Sequence, residues 1–181
     1  MYKLAIAALF AASPCFASGI EITVAGEANG VIKIDLLEDV APKHVARITE
    51  LASEGAYDGV VFHRVIDGFM AQTGDVQFGK MDGNTSRAGM GGSDKPDLPA
   101  EFSDVPYDRG VIGMARSQNP NSANSQFFIM FKEGYFLNGQ YTVVGRVTEG
   151  MDVVDTIKLG RGQNGAVIGD PDVMKTVTVT E

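Results

Sequence analysis

Apolar residues fall along this chain in short runs separated by glycine, asparagine, aspartate and proline. Residues 20–25 and 31–36 read as strands joined by a turn at Glu27-Ala28-Asn29-Gly30, where Asn-Gly is a strong hairpin signal. Residues 42–54 predict a helix: Pro42 suits its first turn, Val45, Ile48, Leu51 and Ala52 form an apolar stripe, and Gly55 ends it. His44 is expected on its solvent side. Strands are predicted over 60–66 and 69–72, broken at Asp67-Gly68, and over 111–115, 126–131, 141–147 and 173–180. A second helix covers 151–158, with Val153, Val154 and Ile157 on one side. Between them, residues 79–99 form a loop centred on Gly89-Met90-Gly91-Gly92, long enough to suggest a function. Short strands without βαβ alternation, and no linker or repeat, predict a mainly β domain. The expected form is a closed eight-stranded antiparallel β-barrel capped by two α-helices.

Composition adds a few limits. The chain has 181 residues, 44% hydrophobic and 21% charged, which suits one globular domain. A net charge of −8 speaks against nucleic acid or an anionic membrane as a partner. Residues 1–17 read as a secretory signal peptide: Lys3, a short apolar stretch, Pro14, and Ala17 for cleavage. That leaves a domain over 18–181 and a bacterial periplasmic location. Cleavage removes Cys15, the one cysteine, so neither a cysteine nucleophile nor a thiolate metal site is expected. His44 and His63 have no metal-ligand spacing. Gly160-Arg161-Gly162-Gln163-Asn164-Gly165 spells a dinucleotide pattern but opens no βαβ unit, so it reads as a loop. No cofactor is implied.

One residue breaks the apolar pattern informatively. Arg64 lies in Phe62-His63-Arg64-Val65-Ile66-Asp67-Gly68-Phe69-Met70-Ala71-Gln72, where a guanidinium is costly unless it is satisfied. Gln72 is placed to brace it. A second apolar segment, Ser125-Gln126-Phe127-Phe128-Ile129, carries another amide; alternation puts Phe127 in the core and Phe128 on the other face. His63 should point away from Arg64. A fixed cation beside an apolar pocket suits work on a neutral polar bond.

These segments, with Gly110-Val111-Ile112-Gly113-Met114-Ala115, Phe136-Leu137-Asn138-Gly139 and Val144-Gly145-Arg146-Val147, resemble the motifs of the cyclophilins, which are peptidyl-prolyl cis-trans isomerases. The resemblance runs over nearly all of the chain after the leader. It implies Arg64 as the catalytic donor and Gln72 as its orienting partner. It implies a substrate site of Ile66, Phe69, Met70, Gly89, Ala115, Arg116, Gln126, Phe128, Phe136, Leu137 and Tyr141. Proline-containing polypeptides are the implied partners, and a monomer the implied state. Phe136, Tyr141 and Arg116 stand where the best-known eukaryotic members carry tryptophan, histidine and asparagine. Weak binding of cyclosporin-type peptides is therefore expected. The competing reading is a peptide-binding chaperone without catalysis; an acyl hydrolase lacks a nucleophile and base.

Overall fold

Alternating burial builds the first hairpin. Ile20, Ile22 and Val24 point into the core from β1 (Gly19–Ala25), while Glu21 and Thr23 stay nearer solvent. β2 (Gly30–Leu36) pairs with it antiparallel, with Ile22 opposite Ile32. The computed structural model describes residues 19–181, so the expected leader, its cleavage after Ala17, and Cys15 lie outside the described residues.

α1 (Pro42–Ser53) follows, with Pro42 in its first turn and Val45, Ile48, Leu51 and Ala52 buried as the stripe predicts. The helix has no side-chain cap of its own. The Glu101 carboxylate takes that role, accepting from the backbone N–H groups of Lys43 and His44 at 3.1 Å each. Its Oε2 also lies 2.6 Å from His44 Nδ1. His44 is thus fully buried against Glu101 rather than solvated. Burial lowers its proton affinity against the pull of Glu101.

The remaining strands are β3 (Val60–Val61), β4 (Arg64–Ile66), β5 (Met70–Thr73), β6 (Val111–Met114), β7 (Phe127–Met130), β8 (Val143–Glu149) and β9 (Val173–Thr180), with α2 (Met151–Asp155) before the last. They form one sheet in the order β3-β9-β1-β2-β8-β6-β7-β5-β4. Every pairing is antiparallel.

The closed eight-stranded barrel is corrected here. The sheet has nine strands and two edges, β3 and β4, and it forms a curled half-barrel. The run 60–66, read as one strand, is two. Val60 and Val61 pair with β9, whereas Arg64 to Ile66 pair with β5. Between them, Phe62 donates to the Asp172 carbonyl (2.9 Å) and the His63 carbonyl accepts from Val167 (3.0 Å). The backbone of these two residues is spent on the segment after α2, so no ladder joins the edges.

Two apolar clusters lie on opposite faces of the β5–β7–β6 region. Phe62, Val65, Phe127 and Ile129 join the main core. Met70, Tyr107, Phe128, Met130 and Leu137 form the second cluster. Strand alternation separates Phe127 from Phe128 in the predicted way.

Candidate active site

Strand register assembles the site. Arg64 on β4 stands opposite Gln72 on β5, Gln72 opposite Phe128 on β7, and Phe128 opposite Gly113 on β6. Directly opposed residues share a face, so the guanidinium, the amide and the phenyl ring line up across three strands. Gly113 is what lets the ring lie flat. A Cβ there would overlap Phe128 and come within 2.5 Å of Tyr107 Oη, and Tyr107 stacks on Phe128 at 5.8 Å. Gly113→Ala is therefore expected to destabilise the fold by ~1–3 kcal/mol through overpacking, with urea denaturation as the measurement. An unchanged midpoint would contradict this packing.

The result is an apolar hollow of about 310 Å³. Phe69, Met70, Phe128, Phe136 and Leu137 make its apolar wall, Ala115, Arg116 and Tyr141 stand around it, and Arg64 and Gln72 form its polar edge. Phe136 is 66% exposed and leans on Phe69 at 5.5 Å between ring centroids. Tyr141 meets Phe128 edge-on and carries the Arg116 guanidinium 4.3 Å above its own ring. Arg116 is held further by the Gln140 carbonyl at 2.8 Å.

A second hollow of about 470 Å³ adjoins the first and shares Gln72, Ala115 and Arg116 with it. It contains Gly89 and Gln126. Ile66, expected among the substrate contacts, lines neither hollow; it is partly buried beside the second apolar cluster. Its face of β4 is taken up by packing against the Gly165 turn, where an added Cβ would strike its side chain.

Arg64 is braced twice. Its Nη1 donates to Gln72 Oε1 at 3.1 Å and its Nε to the Asn164 carbonyl at 2.9 Å. Nη2 has no hydrogen-bond acceptor among the described residues. Burial lowers the proton affinity of Arg64, yet an arginine keeps its charge at neutral pH. The ordering continues outward, since Gln72 Nε2 donates to Gln126 Oε1 at 2.9 Å.

Residues 20–180 match the family profile of the cyclophilin type peptidyl-prolyl cis-trans isomerases. The chain belongs to that family. A probable peptidyl-prolyl cis-trans isomerase of Brucella suis biovar 1 is 61% identical over 153 residues, 83% of this chain and 78% of its own length. Peptidyl-prolyl cis-trans isomerase B of Escherichia coli K12 is 35% identical over 165 residues, covering 84% and 96% of the two chains. Among solved structures, a Cryptosporidium parvum cyclophilin type isomerase crystallised in the presence of the dipeptide Ala-Pro superposes with a TM-score of 0.75 at 26% identity, over 90% of this chain and 99% of that one. A cyclophilin from Hirschia baltica gives 0.71 at 26% identity, over 88% and 73%.

Within this cyclophilin-type site, Asn164 is the residue that sequence reasoning missed. It sits in the turn dismissed as a false dinucleotide motif and is the one non-glycine residue with positive φ (56°) among the described residues. Asn-Gly marks such a turn, because asparagine tolerates the left-handed region. Nothing local ties that turn to an arginine 100 residues earlier.

His63, the neighbour of Arg64 in sequence, has a buried ring. It packs under Gly89, where φ is +95° and an added Cβ would lie 2.9 Å from the ring. Both ring nitrogens are buried without a partner; the Val61 carbonyl and Gln126 come near but miss hydrogen-bond geometry. Burial pushes its pKa down to about 4, helped by the Arg64 charge and opposed by Asp75. The unfolded ring titrates near 6.5, so between about 6.5 and 4 the unfolded chain binds more protons. Stability from the neutral ring is complete above that window and is lost as pH falls through it. The expected loss is on the order of 3 kcal/mol. Urea midpoints at both ends of the window check this, and His63→Gln should flatten the difference. Equal midpoints for the wild-type protein would refute it.

Proposed function

We propose that this protein accelerates rotation about X-Pro peptide bonds in folding polypeptides, with Arg64 as the catalytic donor and Gln72 as its orienting partner. One observation carries the reading: a guanidinium braced by Gln72 and Asn164 edges an apolar hollow floored by Phe128. The chemistry fits that arrangement. Amide resonance sets a rotational barrier of ~18–20 kcal/mol, and uncatalysed exchange takes about tens to hundreds of seconds. No bond breaks, so neither nucleophile nor proton shuttle is required. What must be favoured is the twisted state, in which resonance is lost and the proline nitrogen becomes a better acceptor. A charged donor aimed there from a dry wall stabilises it selectively. A rate gain of about five powers of ten requires roughly 7 kcal/mol. Positioning of the ring and one preorganised charge together cover that range.

In this reading Phe69, Met70, Phe128 and Leu137 grip the proline ring. Ala115, Arg116 and Gln126 hold the peptide backbone, and the second hollow beside Gly89 takes flanking residues. The leader read over residues 1–17 supports action in the periplasm, and the protein works as a monomer. The test is a prolyl-peptide exchange assay on the processed protein. Acceleration well above the uncatalysed rate is expected; binding of proline peptides without acceleration would overturn the reading in favour of a passive binder.

Phe136 bears on ligand choice. A phenyl ring offers no N–H to a cyclic peptide carbonyl. Cyclosporin should therefore bind weakly, and Phe136→Trp should tighten it about tenfold, the worth of one hydrogen bond. Calorimetric titration of both proteins decides it. Nanomolar binding by the wild-type chain would defeat this expectation.

A further inference from the structure

We propose that Asp75 is a positioning residue, which fixes Arg64 through the glycine-rich loop; the proposal rests on the isomerase reading of Arg64 above. Asp75 follows β5 after Gly74 and is fully buried. Its carboxylate receives four backbone donors. Oδ1 accepts from Gln77 (3.1 Å) and Phe78 (2.9 Å) in the turn just after it. Oδ2 accepts from Gly89 (2.7 Å) and Gly91 (2.9 Å), 14 and 16 residues on. Bonds to a carboxylate are short and roughly twice as strong as neutral ones, so this group draws the loop onto the end of β5.

The clamp reaches the reacting arginine by an unbroken chain. The Gly91 carbonyl accepts from Gln126 Nε2 at 2.8 Å. Gln126 Oε1 accepts from Gln72 Nε2 at 2.9 Å, and Gln72 Oε1 accepts from Arg64 Nη1 at 3.1 Å. Each amide in the series uses its N–H group on one neighbour and its oxygen on the other. That fixes which way each one faces, and a bond strengthened at one end polarises the next. The only main-chain link is Gly91, and its carbonyl stays in place because its own N–H is held by Asp75.

The glycines serve this arrangement. A Cβ on Gly91 would come within 2.7 Å of Asp75 Oδ1 and of the Phe78 ring. The loop can approach the carboxylate only where side chains are missing. Without Oδ2 as an acceptor, the Gly91 carbonyl loses its anchor, Gln126 loses a fixed acceptor, and the Gln72 amide that braces Arg64 is no longer held from behind. A displacement of about 1 Å at a reacting group is worth up to ~10²-fold in rate.

The experiment compares wild type, Asp75→Asn and Gly91→Ala. It uses prolyl exchange per folded molecule together with the ¹⁵N–¹H signal of Arg64 Nε. Asparagine keeps the shape but turns one acceptor into a donor; Gly91→Ala pushes the loop off an intact carboxylate. Both variants should lose on the order of tenfold to a hundredfold in kcat/KM, and both should shift or broaden the Arg64 signal. Rates within twofold of wild type, or an Arg64 signal that stays in place, would overturn the proposal, because a merely structural aspartate lowers stability without moving either. An inactive wild-type protein would instead refute the isomerase reading itself. If the variants do not fold, wild-type amide exchange decides: the Gly89 and Gly91 N–H groups should exchange slowly. Exchange at the rate of an open loop would exclude the clamp.

Discussion

Replacing Arg64 with alanine should lower kcat/KM for prolyl exchange by on the order of 10²–10³-fold, the usual cost of removing one preorganised donor. The fold should tolerate the change. Arg64 is half-buried at an edge strand, and its partners, the Asn164 carbonyl and Gln72, can turn to water. Arg64→Lys should recover little. An ammonium gathers its three donors on one nitrogen at the end of a flexible stem, so it cannot reproduce the rigid planar fork that meets Asn164 and Gln72 from separate nitrogens and leaves a third aimed at the hollow. The measurement is exchange of a chromogenic proline peptide, with circular dichroism to verify folding. A folded alanine variant at near-wild-type rate would remove Arg64 from the chemistry. Gln72→Ala should lose less, since it orients the donor without supplying it.

The largest stability effect is expected at Phe127. Phe127→Ala should destabilise the protein by ~3–5 kcal/mol and lower Tm by roughly 10 °C. The ring is 1% exposed and stands edge-on to Tyr57 with centroids 5.6 Å apart. Tyr57 is fixed in turn by its hydroxyl, which donates to the Ser125 carbonyl at 2.8 Å. The void therefore cannot collapse without breaking a buried hydrogen bond. Phe128, one residue on, gives the contrast: its loss should open the floor of the hollow and reduce activity first. Calorimetry of the two variants beside the exchange assay separates them, and equal stability losses with equal rate losses would contradict the two-cluster division.

How much of this was legible in the sequence depends on the distance between partners. The α1 stripe, the first hairpin and the Phe127/Phe128 split are written in local periodicity, and all three are present. The Arg64–Gln72 brace was equally readable, because a tight hairpin sets residues eight apart opposite each other. His44 was misread because its partner Glu101 lies 57 residues away, and helical spacing cannot signal a carboxylate brought in by a distant loop. Asn164 escaped for the same reason. The closed barrel failed on a finer point: residues 60–66 contain no glycine, proline or other turn signal, and only the destination of the Phe62 and His63 backbone bonds shows that the ladder stops.

That interruption gives the reactive arginine an unusual address. The two borders of the sheet are neighbours in the chain, separated by Phe62 and His63, and Arg64 opens the second border. The covalent backbone acts there as the buckle of a hoop. Severing it at the buckle, as in a permuted chain with new ends between those residues, would release both borders at once. Each is covered at present, β3 by the segment around Lys80 and β4 by Gly160 and Ala166; once cut loose, their N–H and C=O groups would lose these partners and can recruit a strand from another molecule. Loss of turnover and the onset of intermolecular association would then begin at the same peptide bond.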